Sequence, residues 1–450
     1  RFMEGTEDWL SNLKLRTSWG KAGNNQGIGN YAWQAVYATQ NVVVDGSGSK
    51  GLYISSLSNA DLKWETTATT DIGLDMGFFD NRLTAEIDYY RKNTTDILYT
   101  PTIYMTMGEV SGVPSNLGSV VNKGVELALN WKSRIGKDFS YYAGVNFSYN
   151  KNRVTRFKGD LVKTWTDGVY TNNLSDVTAG YGSGKLCEGH ALGEHYLRRL
   201  YKGNGRGYRG GAVDVNAGPK DGMIRTQQDF EWVQAMLETG YTFNGVTALS
   251  KDQLWYGDLI YADRNGDGNY GDDNDMDFNG RTSTPSYNLG VNLGFAWKGL
   301  DFNMTWSGAF DYYIIWNALY YNGTQTTNGH GISERVADNH YFFDPENLAD
   351  ARTNLKGAYP RLTFGTPGDN RQASEFYEYK GDYLKLKNVQ IGYTLPSRIT
   401  KKFYVQQLRF FVSGENLLTI TDYPGLDPEK GSAIGYPLMR SVTFGAQITF

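Results

Sequence analysis

A single cysteine, Cys187, stands in a chain of 450 residues, so neither an internal disulfide framework nor a multi-cysteine metal site is available. Proline is scarce, with 11 residues, and the four histidines, His190, His195, His330 and His340, form no H-E-x-x-H pair. They lie in Gly- or Asn-rich stretches, which predicts solvated loop positions. Charge of one sign is missing as well. The 44 Lys and Arg against 48 Asp and Glu leave a net charge of -4, with no basic footprint for nucleic acid and no acidic tail. No run approaches the ~18 to 20 apolar residues of a membrane-crossing helix. The opening RFMEGTEDWL does not read as a signal peptide.

What is abundant is glycine and aromatic side chains: 54 Gly, 33 Tyr, 21 Phe and 11 Trp, too aromatic and apolar for disorder. Their arrangement has a period of two. In YNLGVNLGFAWKG, Tyr287, Leu289, Val291, Leu293, Phe295 and Trp297 fall on one face, with Asn288, Gly290, Asn292, Gly294 and Ala296 on the other. Leu300, Phe302, Met304 and Trp306 alternate in the same way with Asp301, Asn303, Thr305 and Ser307. So do Ile72 to Phe78, Leu83 to Tyr89, Val125 to Trp131 and Tyr141 to Tyr149. A soluble β-sandwich also alternates, but its strands usually run ~5 to 6 residues, whereas a tilted membrane strand needs ~9 to 11. These segments have the longer length, and Tyr287 and Trp297 bracket one apolar stripe as interface girdles do. In hydrocarbon every backbone N–H and C=O must pair within the protein, so the expected fold is all-β, a transmembrane antiparallel β-barrel.

The connections agree with that expectation. FFDNRL, KSRIGKDF and WKGLD are tight joins and PSRITKKFYVQQ is somewhat longer, while the intervening links span 21–66, 100–117, 158–285, 317–380 and 422–441. Short turns on one side and long loops on the other are the habit of bacterial barrels. Ten strands are predicted near 13–20, 67–79, 82–99, 118–132, 139–157, 286–298, 300–316, 381–395, 408–421 and 442–450, with room for another pair inside 158–285. If the tight joins are periplasmic, the closing strand SVTFGAQITF brings Phe450 to the periplasmic rim.

Specific words carry the reading further. SNLKLRTSWGKAGN (11–24), NADLKWETTATTDIGLDMGFFDNRLTAEIDYYRKNTTDILY (59–99), NLGSVVNKGVELALNW (116–131), GDLIYADRNGDGNYGDDND (257–275), YLKLKNVQIGYTLP (383–396), VSGENLLTITDYPGLDPE (412–429) and YPLMRSVTFGAQITF (436–450) closely resemble the C-terminal barrel of SusC/RagA-type TonB-dependent transporters of Bacteroidetes. The resemblance covers nearly the whole chain. It departs at Phe343, where the family tends to place Trp, in extra residues before Tyr359, and around 200–250, segments in which substrate choice could differ. It implies that residues 1–450 supply the later half of a plugged barrel of about 22 strands, with large extracellular loops about 158–285 and 317–380. The plug and the TonB-contacting segment would lie outside this chain. It further implies a multi-pass protein of the bacterial outer membrane that imports oligosaccharides with a SusD-like surface lipoprotein over its loops and the TonB complex as energy source. A peptide importer of the same family is the alternative. A self-contained passive porin-like barrel and a barrel-borne glycan hydrolase are the other readings, and no motif places a nucleophile beside a base.

Two sets of loop residues are candidates for binding. DRNGDG places oxygen ligands at Asp263, Asn265 and Asp267, with Gly268 at the sixth position of an EF-hand-type loop and a backbone carbonyl at Asn269. The twelfth position is Asn274 rather than the bidentate Glu, so Asp275 would have to serve through a one-residue bulge, and Ca²⁺ is the expected ion. Trp165, Tyr170, Trp232, Trp255, Tyr256, Trp316, Tyr320 and Tyr321 set flat rings beside polar groups in the outer loops, where they could hold sugar faces or pack the loops together. TQQDFEWVQAMLETG (226–240) predicts a short loop helix, with Thr226 as N-cap, Asp229 at the capping-box position, Gly240 as stop, and Phe230, Val233 and Met236 packing it down.

Overall fold

The computed structural model describes residues 5–6, 9–26, 28–99, 115–157, 162–166, 169–174, 186–316, 333–362, 370, 372–433, 435–436 and 438–450, with only the backbone at 56, 99, 162–166, 169–174 and 186. Ten long strands form one antiparallel sheet in chain order: β1 (Leu10–Asn24), β2 (Glu65–Phe78), β3 (Leu83–Tyr99), β4 (Ser115–Ile135), β5 (Phe139–Phe157), β6 (Tyr287–Trp297), β7 (Leu300–Phe310), β8 (Tyr383–Thr394), β9 (Gln407–Thr421) and β10 (Ser441–Thr449). These are the ten segments that alternation picks out. The 158–285 link adds no wall strand among the described residues; its pair Val162–Thr166 and Val169–Leu174 forms a small hairpin outside the ten-stranded sheet.

The tight joins explain how the meander turns. Lys298 and Gly299 link β6 to β7 with φ of 47° and 90°, the doubly left-handed pair of a two-residue hairpin whose twist matches its strands. Strand β7 stops earlier than its sequence pattern suggests. Asp311 adopts φ 59° and donates its N–H to Asp382 Oδ1 at 2.8 Å, and the chain resumes as Tyr313–Ile315, paired with Glu378–Lys380 in a separate ribbon.

Register carries each apolar row across several strands. Leu15, Leu74, Ile87, Leu127, Phe147 and Leu289 are successive cross-strand partners on one face. On the other face the corresponding row reads Arg16, Gly73, Asp88, Glu126, Ser148 and Asn288. The apolar face is uncovered: Leu15 is 71 %, Trp19 70 % and Phe444 78 % exposed. In a sandwich those side chains would lie against a second sheet. The accessible surface of 26352 Å² also exceeds the roughly 17,000 Å² expected of a compact soluble protein of this mass. Lipid is the solvent that accounts for the uncovered apolar face, and an open sheet exposed on both faces accounts for the excess area. Rings mark its two borders. Phe139, Phe295 and Phe302 stack near the tight joins, while Tyr149 and Tyr287 stack at 4.9 Å toward the long loops. Tyr287 and Phe295 are eight positions apart, roughly 27 Å of strand, enough for a tilted crossing of the hydrocarbon.

Above the sheet the long connections fold into a second, water-facing body. Its buried core gathers Tyr201, Ile224, Trp232, Leu259, Tyr261 and Tyr341 from segments far apart in the chain. The helix α1 (Gln227–Glu238) is clamped to it through Val233 and Met236, both fully buried, with Phe230 packed at the edge. Its capping box is complete, Thr226 accepting from the Asp229 amide at 3.1 Å while Asp229 accepts from the Thr226 amide at 2.9 Å.

Candidate functional site: lumen wall and outer loops

The polar face of the sheet carries charges that alternation alone leaves unpaired. Asp75 stands opposite Glu86 and Asp88 opposite Glu126, two like-charged cross-strand pairs that repel. Arg16 relieves part of this by donating Nε to Asp75 Oδ1 at 2.8 Å and approaching Asp88 Oδ1 at 2.9 Å. It crosses the backbone at Gly73, where a Cβ would stand 2.8 Å from the guanidinium carbon and push it aside, so glycine leaves room for this approach. Arg409 likewise crosses Gly392 to reach Asp301, with bonds of 2.9 and 2.5 Å. Glu86, Asp88, Glu126, Asn146, Ser148 and Asn288 then line a recess of about 390 Å³ on this face. A wall of this kind wets a channel and binds polar solutes or polypeptide, whereas it offers no apolar solute a surface.

Ionic ties fix the loops over the wall. Asp258, fully buried, accepts Arg361 Nε and Nη2 at 2.7 and 2.8 Å and Asn370 Nδ2 at 2.6 Å, joining the segment before β6 to the one before β8. Burial pushes the Asp258 carboxyl up despite these donors. Lys385, 1 % exposed at the outer end of β8, donates to Asp427 Oδ2 at 2.8 Å and Glu429 Oε2 at 2.7 Å, pinning the loop between β9 and β10. His195 does not sit in solvent as its local sequence suggests. It is fully buried, with Nδ1 2.6 Å from Glu378 Oε1 and Nε2 2.8 Å from Ser283 Oγ.

The predicted aromatic set divides. Trp232 is fully buried, stacked 5.0 Å from Tyr201, and its Nε1 donates to Asp214 O at 2.8 Å. Tyr256 is buried against Phe230 at 4.4 Å and donates its hydroxyl to Gln227. Trp316 is buried beside Tyr423 and Tyr379. These three rings are spent on packing and present no face to a ligand. Trp255 is half-buried and lines a groove of about 460 Å³ with Phe230, Gln234 and Leu237 on α1, which makes it the best placed to meet solute of the four rings whose side chains are described. Trp165 and Tyr170 are cross-strand partners in the small hairpin, with only their backbone described. Tyr320 and Tyr321 lie outside the described residues.

The acidic loop is closed by its own hydrogen bonds. Asp263 accepts the amides of Gly266 and Gly268 at 2.6 and 3.0 Å, and Asp267 accepts that of Asn269 at 2.8 Å. Asp275 takes the amides of Arg264, Asn265 and Gly271 at 2.5, 3.2 and 2.6 Å. Asn265 Nδ2 points a donor at Asp267 Oδ2, 2.9 Å away, and the Asn269 side-chain oxygen accepts from Thr242 and Gly245. Burial raises the Asp275 carboxyl although three amides favour its charged form. Among the described residues no three His, Cys, Asp or Glu side chains gather as a metal cage.

Comparison with known proteins places this geometry. The chain is 30 % identical to TonB-dependent receptor P3 of Formosa agariphila across 98 % of its own length and 40 % of that receptor. Its identity to TonB-dependent receptor SusC of Bacteroides thetaiotaomicron is 24 %, over 97 % of this chain and 37 % of SusC. The solved RagAB peptide importer in its closed-closed state superposes with a TM-score of 0.68 and 25 % identity, covering 98 % of this chain and 41 % of that one. The chain thus spans about 40 % of the length of the curated relatives it matches. The sequence description of the TonB dependent receptor-like β-barrel fits residues 6–244, more than half of the chain, which therefore belongs to that family of multi-pass barrels of the bacterial outer membrane.

Proposed function

We propose that this chain forms the later part of the wall, and the outer loops, of an energy-dependent importer for oligomeric solutes. The family is one of TonB-dependent transporters. The observation that carries the reading is the pairing of a polar, charge-lined lumen face with a preassembled body of loops above it. A SusD-like surface lipoprotein caps the loops in this reading, and the TonB complex acts through a plug contributed from outside residues 1–450. Oligosaccharide is the first cargo reading, served by the hydrogen-bonding groups Asn146, Ser148 and Asn288 of the wall and by Trp255 above it. Peptide is the second, favoured by the likeness to the RagAB peptide importer. The test is calorimetric titration of the purified transporter and lipoprotein complex with oligosaccharide and peptide pools. Saturable binding of glycans alone supports the first cargo, binding of peptides alone the second. Cargo uptake that persists after TonB is deleted would sink the energy-dependent reading and leave a passive pore.

A further inference from the structure

We propose that Ser283, His195 and Glu378 form an activated-serine site that cleaves carboxylic esters at the outer mouth of the lumen. Three separate pieces of regular structure hold these residues. His195 lies in the strand Glu194–Leu197, which pairs with Asp277–Thr282, and Ser283 follows directly on that partner; Glu378 opens the ribbon strand Glu378–Lys380. The contacts run in the order that nucleophilic catalysis needs: Ser283 Oγ to His195 Nε2 at 2.8 Å, then His195 Nδ1 to Glu378 Oε1 at 2.6 Å. Both inner members are sealed from water, and only the serine is exposed.

The partners of Glu378 fix the imidazole tautomer. Its carboxylate also accepts Asn279 Nδ2 at 2.7 Å and Arg281 Nη1 at 2.5 Å. Burial alone would raise this carboxyl, but the donors His195, Arg281 and Asn279 hold it below the ordinary range. A carboxylate can only accept, so Nδ1 carries a proton, and in the neutral imidazole Nε2 is then the nitrogen that accepts from the Ser283 hydroxyl. That is the state in which an imidazole can remove a serine proton.

The serine opens on a cavity of about 630 Å³, within the range of small-molecule sites. Ala309, Ile314 and Ile315 contribute apolar lining, and Asn288, Tyr312 and Glu429 contribute polar groups. An ester with a short acyl chain on a polar alcohol suits this mixed lining. Ser283 Oγ would bond to the acyl carbon while its proton moves to His195 Nε2, and the C–O bond to the alcohol breaks as the alcohol takes that proton. Water then attacks the acyl-serine and gives a proton to Nε2, which returns it to Ser283 as the carboxylic acid leaves.

The complete outer-membrane protein, purified in detergent, is treated with a fluorophosphonate probe, mapped by mass spectrometry, and assayed with p-nitrophenyl acetate. Labelling at Ser283 is expected, with loss of label and turnover in Ser283→Ala and a fall of roughly 100-fold in Glu378→Gln. Heat-modifiable migration of each variant on gels verifies that the barrel is folded. Because Ser283 is exposed, Ser283→Ala keeps the test valid even if a variant at buried His195 or Glu378 misfolds. A folded protein that stays unlabelled at Ser283, or turnover that survives Ser283→Ala, overturns the proposal and leaves the three residues as a tie between loop strands. Neither result bears on the import reading, which is tested by cargo binding.

Discussion

Leu293 and its neighbour Asn292 differ by one position and by solvent. Leu293 lies between Ala143 and Met304 on the apolar face; Asn292 lies between Gly144 and Thr305, accepting from Thr305 Oγ1 at 2.9 Å. Arginine at Leu293 should cost ~2 to 4 kcal/mol in lipid, and at lumen-facing Asn292 less than about 1 kcal/mol. Urea titration of barrels folded into bilayers measures both, and equal losses would mean that the two faces are exchanged. Lys385 poses a different residue-scale problem, a buried ammonium held by two carboxylates. Lys385→Met should free the loop over 425–431, because Asp427 and Glu429 lose their buried partner, at a cost of about 3 to 5 kcal/mol. Burial would lift the Glu429 carboxyl, but Lys385 and Lys387 bring it below the ordinary range. A depressed carboxyl contributes fully above its unfolded value near ~4.3 and fades as pH falls through the lower folded value. Protection of the amides in this loop, relative to their intrinsic exchange, should therefore fall as pH drops below the ordinary carboxylate range in the native protein and be lost already at neutral pH in Lys385→Met. Calcium at Asp263, Asn265 and Asp267 is likewise a proposal with a direct readout. Millimolar Ca²⁺ should slow exchange at Gly266, Gly268 and Gly271 beyond the protection the carboxylates already give, and Asp267→Ala should remove the gain. Exchange that ignores the ion leaves a self-contained aspartate turn.

At the scale of elements, what was legible in the sequence is what repeats locally. The wall strands announce themselves because lipid and lumen impose a period of two on every residue, and α1 does so because Thr226 and Asp229 cap each other within three positions. The loop ties carry no period. Asp258 and Arg361 are 103 positions apart and His195 and Glu378 are 183, so nothing in the neighbourhood of either names its partner. The same limit explains the aromatic set: Trp232 and Trp255 share a segment and a composition, and only the long-range fold buries one and half-exposes the other. These ties predict that the segments before β6 and before β8 open together. Arg361→Ala strands a buried carboxylate and should cost about 3 to 5 kcal/mol, accelerating exchange at Ile224 and Gly257 on the far segment as well as near Tyr359. Asp258→Leu combined with Arg361→Met removes both charges and should restore most of the protection. If Arg361→Ala loosens only its own segment, the loops are two bodies resting on each other.

For the whole molecule the decisive feature is the pair of sheet edges. Strand β1 pairs with β2 and strand β10 with β9, and among the described residues no strand covers the far side of either. The wall is therefore an arc and not a ring, which excludes closure of β10 (Ser441–Thr449) onto β1 (Leu10–Asn24) as a small ten-stranded barrel in this structure. Free edges are tolerable in water and intolerable in hydrocarbon, where each unpaired backbone group costs several kcal/mol. The apolar residues of both edge strands, Leu15 and Trp19 on one and Val442, Phe444 and Ile448 on the other, are themselves uncovered, so both edges belong to the lipid-facing band. We therefore propose that the arc meets further strands at both ends when it sits in a bilayer. Residues 1–450 expressed alone should fail to insert, accumulate as aggregates, and show no heat-modifiable band on gels. A cysteine on the outward-facing edge of β10, at Val442 or Phe444, should form a disulfide with a cysteine on an additional strand of the assembled protein and none with one at Leu15 or Thr17. A β1 to β10 cross-link in membranes containing residues 1–450 alone would show that the arc does close, and the self-contained passive barrel would take the place of the partial wall.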